Sequence, residues 1–98
     1  MKRYKKLYIN RRPGLKPVSI WVNDDPKRLF DEVIIGQNIS IENIKHRRFD
    51  YPVSVCYCAK SFKRALRRFD IEKYVKNNET FKKRLSNFVD FFKEIRYE

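Results

Sequence analysis

The N-terminal third of the chain alternates apolar and polar side chains as β-strands do. KLYIN (6–10) and VSIWVN (18–23) are short, aromatic and β-branched, and a loop with a Pro-Gly pair that favours a tight turn joins them. In the second segment the aliphatic side chains share one face and Trp21 points away from them. The pattern predicts an antiparallel β-hairpin.

The next segment, DDPKRLFDEVIIG (24–36), has the features of a short helix. Asp24 or Asp25 can cap its N-terminus, Pro26 suits the first helical position, and Gly36 suits a left-handed stop. Its apolar side chains fall at i, i+1, i+4 and i+5, which is one helical face. We therefore predict a helix here.

Two further segments suggest β-structure. In residues 37–50, Ile39 and Ile41 alternate as in a strand, whereas Ile41 and Ile44 are spaced as in a helical turn. We interpret this segment as a short strand followed by a basic loop. Residues 52–59, PVSVCYCA, alternate regularly and predict a strand.

From Ser61 onward the apolar period becomes helical. The first helix has apolar side chains at i, i+3, i+4 and i+7. These are Phe62, Ala65, Leu66 and Phe69. Asp70 can cap a short continuation, and an apolar stripe from about Thr80 to Arg96 predicts a final long helix. Strands followed by helices predict an α+β fold, a small single domain (1–98) whose N-terminal antiparallel hairpin and sheet are packed by C-terminal amphipathic helices.

Composition agrees with a folded domain inside the cell. The 98 residues are 42 % hydrophobic and 15 % aromatic, too apolar for a disordered tail. No run approaches the ~18 apolar residues of a membrane span, and the basic N-terminus is not followed by an apolar signal-peptide core. The two cysteines suit a reducing compartment. We expect a cytoplasmic protein that does not enter a membrane.

The net charge of +12 is concentrated in two blocks. Residues 1–17 carry seven cations and no acid, and residues 45–68 carry eight cations and one acid. Residues 18–44 are net acidic, and residues 69–98 are nearly balanced. Self-repulsion of this size destabilises a small domain, so we expect an anionic partner, of which nucleic acid is the commonest.

The helix around residues 60–68 carries most of the second block. Its cations lie at i, i+3, i+4, i+7 and i+8 with no acid until Asp70, and like charges at these separations repel by a few tenths of a kcal/mol per pair. A phosphate-binding face explains this pattern; a solvated helix face is the alternative. We name as candidate nucleic-acid contacts the cations of this helix, of the 45–48 cluster and of the hairpin turn. They are Arg11, Arg12, Lys16, Lys45, Arg47, Arg48, Lys60, Lys63, Arg64, Arg67 and Arg68.

Aromatic residues near these cations suggest base stacking as a second mode of contact. Phe49 and Tyr51 follow the 45–48 cluster, and Trp21 with Tyr4 and Tyr8 could form a platform on the hairpin. The alternative, which we favour for both groups, is that these rings pack in the core.

The residues offer little catalytic or metal chemistry. Cys56 and Cys58 with His46 are too few for a four-ligand zinc site, and a disulfide between positions i and i+2 would be strained, so we expect buried or half-buried free thiols. There is no Gly-rich phosphate loop, RNP motif, KH loop or leucine zipper. We expect no enzymatic activity and no cofactor.

The sequence therefore predicts a non-catalytic protein that binds DNA or RNA through its phosphates, with low sequence specificity and steep salt dependence. Contact with ~6–10 phosphates would lower affinity ~10³–10⁵-fold between 50 and 200 mM salt. The alternative is an interaction module or inhibitor whose basic face docks an acidic protein. A third hypothesis is a small metal-dependent nuclease built on the acidic cluster of Asp24, Asp25, Asp31 and Glu32. A homodimer would double the basic surface, and the small size and high charge are compatible with a viral or mobile-element origin.

Overall fold

The computed structural model describes residues 4–11, 13–23 and 32–72 together with residues 75, 79 and 83. The chain order of the described elements is β-β-β-α-β-α. The strands are β1 (Tyr4–Asn10), β2 (Val18–Asn23), β3 (Val33–Gln37) and β4 (Val53–Cys56), and the helices are α1 (Ile41–His46) and α2 (Ala59–Arg68). The strands form one antiparallel sheet in the order β1-β2-β3-β4, which confirms the α+β class.

The N-terminal hairpin forms where the alternation predicted it. Tyr4 pairs with Asn23 and Asn10 pairs with Val18, with an irregularity of register between Lys6 and Tyr8. The aliphatic side chains of β2 are buried in the main core, whereas Trp21 is half-buried on the other face of the sheet.

The predicted helix over 24–36 is wrong at its C-terminal end, where residues 33–37 form β3; residues 24–31 lie outside the described part of the chain. Val33, Ile34 and Ile35 are all completely buried. A strand covered on both faces needs a continuous β-branched run, and such a run also satisfies helical spacing. The apolar period therefore could not separate the two structures.

The strand predicted within residues 37–50 is also wrong, because this segment contains α1, whereas Arg47 and Arg48 lie in the loop that follows the helix. Ser40 caps the helix: its hydroxyl accepts the N–H of Asn43 at 3.2 Å, and the Asn43 side chain accepts the N–H of Ser40 at 2.9 Å. The helix ends at Arg47 in the left-handed conformation, with φ of 51°. The Ser-x-x-Asn spacing was the local signal that favoured a helix over the isoleucine alternation.

The strand predicted over 52–59 is confirmed in its central part as β4. Cys56 faces the core and is 1 % exposed, whereas Val55 and Tyr57 are exposed on the other side. Both cysteines are free thiols, as expected, but only Cys56 is buried. Cys58 is exposed and begins α2 instead of extending the strand.

Helix α2 is confirmed, and its predicted apolar residues are all buried. It packs on β3 and β4, and each fully buried Phe or Leu side chain contributes about 1.5–3 kcal/mol. The helix ends where Asp70, with φ of 56°, and Ile71 donate their N–H groups back to Arg67 and Leu66. Asp70 therefore belongs to the end of α2, and Glu72 and Val75 beyond it are helical. The helix predicted for about 80–96 lies outside the described residues except for Lys83, which is helical.

The two helices lie on opposite faces of the sheet. Helix α2 covers the face that carries Val33 and Ile35. Alternation places Glu32 and Gly36 on the other face, and segment 39–47 contacts both of them. The Ile39 side chain lies 2.9 Å from the position that a Cβ on Gly36 would occupy. An Arg47 nitrogen lies 3.0 Å from a Glu32 oxygen. Helix α1 therefore runs across the second face, anchored near both ends of β3.

Candidate nucleic-acid interface

The cations of α2 occupy its outward face. At 100° per residue, Lys60, Lys63, Arg64, Arg67 and Arg68 span an arc of about 140°, opposite the buried Phe62 and Leu66. They form two stripes. Lys60, Arg64 and Arg68 lie on the side of the helix next to β4, and Lys63 and Arg67 lie on the other side.

The stripe beside β4 borders a groove. A recess of about 350 Å³ lies between β4 and α2, and both Arg64 and Arg68 line it together with Ser54 and Ser61. The Arg68 guanidinium donates to the Ser54 hydroxyl at 3.4 Å, which joins the helix to the strand across the recess. Among the described residues, no carboxylate forms an ion pair with Lys60, Arg64 or Arg68.

The other stripe is partly neutralised. The Arg67 guanidinium lies 3.7 Å from the Glu72 carboxylate just beyond the helix, and Lys63 is half-buried. An exposed pair of this kind contributes little to stability, yet it lowers the positive potential next to Arg67.

The cations of the hairpin turn lie at the end of the sheet where β4 begins. Arg11 and Lys16 are exposed, and the Lys16 ammonium sits 5.7 Å from the centre of the Tyr51 ring. This contact connects the hairpin turn to the segment before β4. Arg12 lies outside the described residues.

The 45–48 cluster differs from α2 because acids accompany it. Glu42 lies 3.8 Å from Lys45 and 3.6 Å from His46, while Arg48 is exposed. The Arg47 guanidinium turns inward to the carboxylate of Glu32. Since α1 and α2 cover opposite faces of the sheet, this cluster and the α2 cations do not form one surface.

Glu32 is the centre of a polar cluster that the sequence pattern did not reveal. Its carboxylate is 2 % exposed and accepts hydrogen bonds from the Tyr4 hydroxyl, from the Tyr57 hydroxyl at 2.6 Å, and from Arg47 at 3.0 and 3.2 Å. Tyr4 and Tyr57 reach it because the antiparallel register places them on the same cross-strand row. This carboxylate joins β1, β3, α1 and the end of β4.

The hairpin aromatics are only partly available for stacking. The Trp21 indole N–H donates to the Ser19 hydroxyl at 2.9 Å, and the Lys6 ammonium lies 5.5 Å from the centre of its ring. Tyr4 is engaged with Glu32, and the side chain of Tyr8 lies outside the described part of the structure. Phe49 is half-buried and Tyr51 is 36 % exposed.

The two thiols differ in acidity. Burial raises the pKa of Cys56 to about 11. Hydrogen bonds with Ser61 lower the pKa of the fully exposed Cys58. Among the described residues, no group of three or more His, Cys, Asp or Glu side chains could hold a metal ion.

In the same part of the chain no helix is long and apolar enough to cross a membrane. Compared with known proteins, the chain matches no family model, and no curated protein or solved structure is significantly similar to it. The function therefore has to be inferred from the site itself.

Proposed function

We propose that this protein binds nucleic acid without catalysis, through phosphate contacts made by the outward face of α2. The observation that supports this most is the five-cation arc, in a segment without any acid from 51 to 69. Successive cations of one stripe are four residues, or about 6 Å, apart along the helix. Their mutual repulsion disfavours the free protein, and phosphate contacts would relieve it.

The opposite position of α1 limits the number of contacts. With Arg47 bound to Glu32 and Lys45 near Glu42, we assign about five phosphate contacts, all to α2, instead of the ~6–10 expected from α2, the 45–48 cluster and the hairpin turn together. For about five phosphates, the affinity should then decrease ~10²–10³-fold between 50 and 200 mM salt.

The test compares two doubly neutralised variants. Lys60→Gln with Arg64→Gln removes one Lys and one Arg from α2, and Lys45→Gln with Arg48→Gln removes the same types from the other face. We expect the α2 variant to bind labelled DNA or RNA more weakly and to lower the salt slope by about 0.7–0.9 for each phosphate that it no longer binds. Fluorescence anisotropy at 50 and 200 mM salt measures both quantities.

The matched variant in the 45–48 cluster should change affinity only slightly. Equal decreases in affinity for the two variants would mean that the ligand responds to the net charge of the protein and not to the α2 face. No binding of duplex DNA, single-stranded DNA or RNA by the unaltered protein at 50 mM salt would refute the proposed function.

The second candidate is a module that docks an acidic protein, and the position of β4 at the edge of the described sheet favours it because an edge strand can pair with a partner strand. The two functions differ in how binding energy is distributed. Phosphate binding weakens gradually as cations are removed one by one, whereas a protein interface collapses at one or two anchors such as Arg64 or Arg68.

A further inference from the structure

The groove between β4 and α2 has the size and lining of a small-molecule subsite. Its volume of about 350 Å³ lies at the lower end of the range for ligand pockets. It is lined by Ser54, Val55, Cys56, Ser61, Arg64, Ala65 and Arg68. None of these lining residues is acidic, so the groove suits an anionic group.

Two arginines form one wall of the groove. Arg64 and Arg68 are one helical turn apart on the β4 side of α2, and the bond from Arg68 to Ser54 fixes one guanidinium at the strand. Guanidinium groups bind phosphate through paired N–H donors, and Ser hydroxyls are common additional phosphate ligands. This wall can therefore hold one phosphate more specifically than the exposed lysines can.

The opposite wall is the free edge of β4. Hydrogen-bonded and non-hydrogen-bonded pairs alternate in an antiparallel ladder, and the Gln37 N–H donates to the Pro52 carbonyl. Ser54 and Cys56, two and four residues further on, therefore turn their backbone groups toward β3. Val55 turns its N–H and C=O to the free edge and offers one donor and one acceptor beside the groove.

Apolar surface lies between these polar walls. Cys56 and Ala65 line the recess on the side of the sheet that α2 covers, and the small side chain of Ala65 leaves room beside the two arginines. The side chain of Val55 points to the opposite face, so Val55 contributes only its backbone to the groove. A nucleotide has the matching sequence of groups: an anionic phosphate, an apolar sugar and base face, and a base edge with donors and acceptors. In a duplex that base edge is already paired.

We propose that this groove binds one unpaired nucleotide, so that the protein selects single-stranded over double-stranded nucleic acid. The phosphate lies between Arg64 and Arg68, and the base lies over Ala65 with its edge at the backbone N–H and C=O of Val55. This inference depends on the proposed function, since it assigns a strand preference to the same basic surface. The remaining cations of α2 contact neighbouring phosphates and do not distinguish single-stranded from double-stranded nucleic acid.

The test uses labelled oligothymidylate of about twelve nucleotides, the RNA equivalent and a duplex of the same length. Arg64→Gln with Arg68→Gln alters the groove, and Lys63→Gln with Arg67→Gln makes the same charge change outside it. We expect the affinity of the groove variant for the single strand to fall at least about 10-fold further than that of the control variant, because charge-assisted hydrogen bonds disappear with the charge. The control variant should weaken single-strand and duplex binding alike.

A second pair of variants tests the strand wall without removing an arginine. Val55→Pro removes the N–H that the free edge of β4 offers to the groove, at a position where an edge strand tolerates proline. Val53→Pro is the matched control, because its N–H also faces the free edge but Val53 does not line the groove. Val55→Pro should reduce the preference for single strands about 3–10-fold and Val53→Pro should leave it unchanged; equal effects would mean that no base edge lies at β4, and the nucleotide assignment would be wrong. Far-UV circular dichroism establishes that each variant is folded.

The outcomes separate the two proposals. Binding of the unaltered protein to duplex and single strand with equal affinity, and equal effects of the groove and control variants, would overturn the groove assignment and leave the proposed function standing. No binding to any of the three probes would overturn both. If poly-glutamate binds and only the groove variants abolish that binding, the groove belongs to an acidic polypeptide, and the nucleotide assignment is wrong.

Discussion

Cys56 and Cys58 are two positions apart and have opposite chemical environments. Because burial raises the pKa of Cys56 to about 11, only about 10⁻³ of it is thiolate at pH 8. Cys58 is exposed, and hydrogen bonding with Ser61 lowers its pKa. We expect iodoacetamide at pH 8 to alkylate Cys58 at least ~100-fold faster than Cys56, as measured by peptide mass mapping over time.

Ser61→Ala provides the control for this prediction. Removal of the hydroxyl eliminates the principal cause of the lowered pKa of Cys58, so the alkylation of Cys58 should slow. Ser61 also lowers the pKa of Cys56, so the alkylation of Cys56 should not become faster in this variant. Equal rates for the two thiols in the unaltered protein would contradict the burial difference.

The residue-level chemistry was partly predictable. The scarcity of metal ligands is visible in the residue counts, and so is the expectation of free thiols. Which cysteine is buried depends on where β4 ends: Cys56 still belongs to the strand, and Cys58 already precedes the helix. The alternation of apolar and polar residues continues through both cysteines, so it could not show that β4 ends at Cys56.

At the scale of elements, the attachment of α1 to the sheet depends on the ion pair between Arg47 and Glu32. Among the described residues, Arg47→Gln leaves a carboxylate that is 2 % exposed with its two tyrosine partners and no compensating charge. We expect a decrease of about 2–3 kcal/mol in the free energy of unfolding by urea, below the ~3–5 kcal/mol typical of fully buried pairs because Arg47 itself is 41 % exposed.

Arg48→Gln is the matched control, since it removes the same charge from the exposed neighbour of Arg47. We expect it to change the free energy of unfolding by at most about 0.5 kcal/mol. If both substitutions cost the same, the ion pair does not hold α1, and the burial of Ile44 alone attaches the helix to the sheet.

The elements that the sequence predicted correctly are those with one covered face. β2 and α2 each present an apolar stripe to one core, and the period of the stripe identifies the element. β3 is covered on both faces by α1 and α2, so its continuous apolar run has no diagnostic period. α1 has six residues, which is too few for a helical period to outweigh the strand-like spacing of Ile39 and Ile41.

At the scale of the whole molecule, the net charge of +12 should make stability depend on salt. At ~10 mM salt the Debye length of about 30 Å exceeds the radius of gyration of 13.0 Å, so every cation repels every other. At ~200 mM the screening length is shorter than the protein. We expect Tm to rise by about 4–8 °C over this range in sodium chloride, equivalent to about 1 kcal/mol, as measured by calorimetry.

The variant with Lys45→Gln and Arg48→Gln has a lower net charge and should show a smaller rise. The buffer must contain no phosphate, because bound phosphate would stabilise the protein by itself. A Tm that falls with salt would mean that local ion pairs such as Arg67 with Glu72 outweigh the overall repulsion.

The sequence by itself determined the class of fold, the hairpin, the basic helix and the two blocks of charge. These properties depend on residues close together along the chain, where spacing and counting suffice. Only the tertiary structure decided that the 45–48 cluster and the α2 cations, which belong to one block of the sequence, lie on opposite faces of the sheet. It also decided that Arg47 binds Glu32, and that Arg64 and Arg68 share a groove with β4. These properties depend on strand order and on which face each helix covers, and a local pattern carries no information about either.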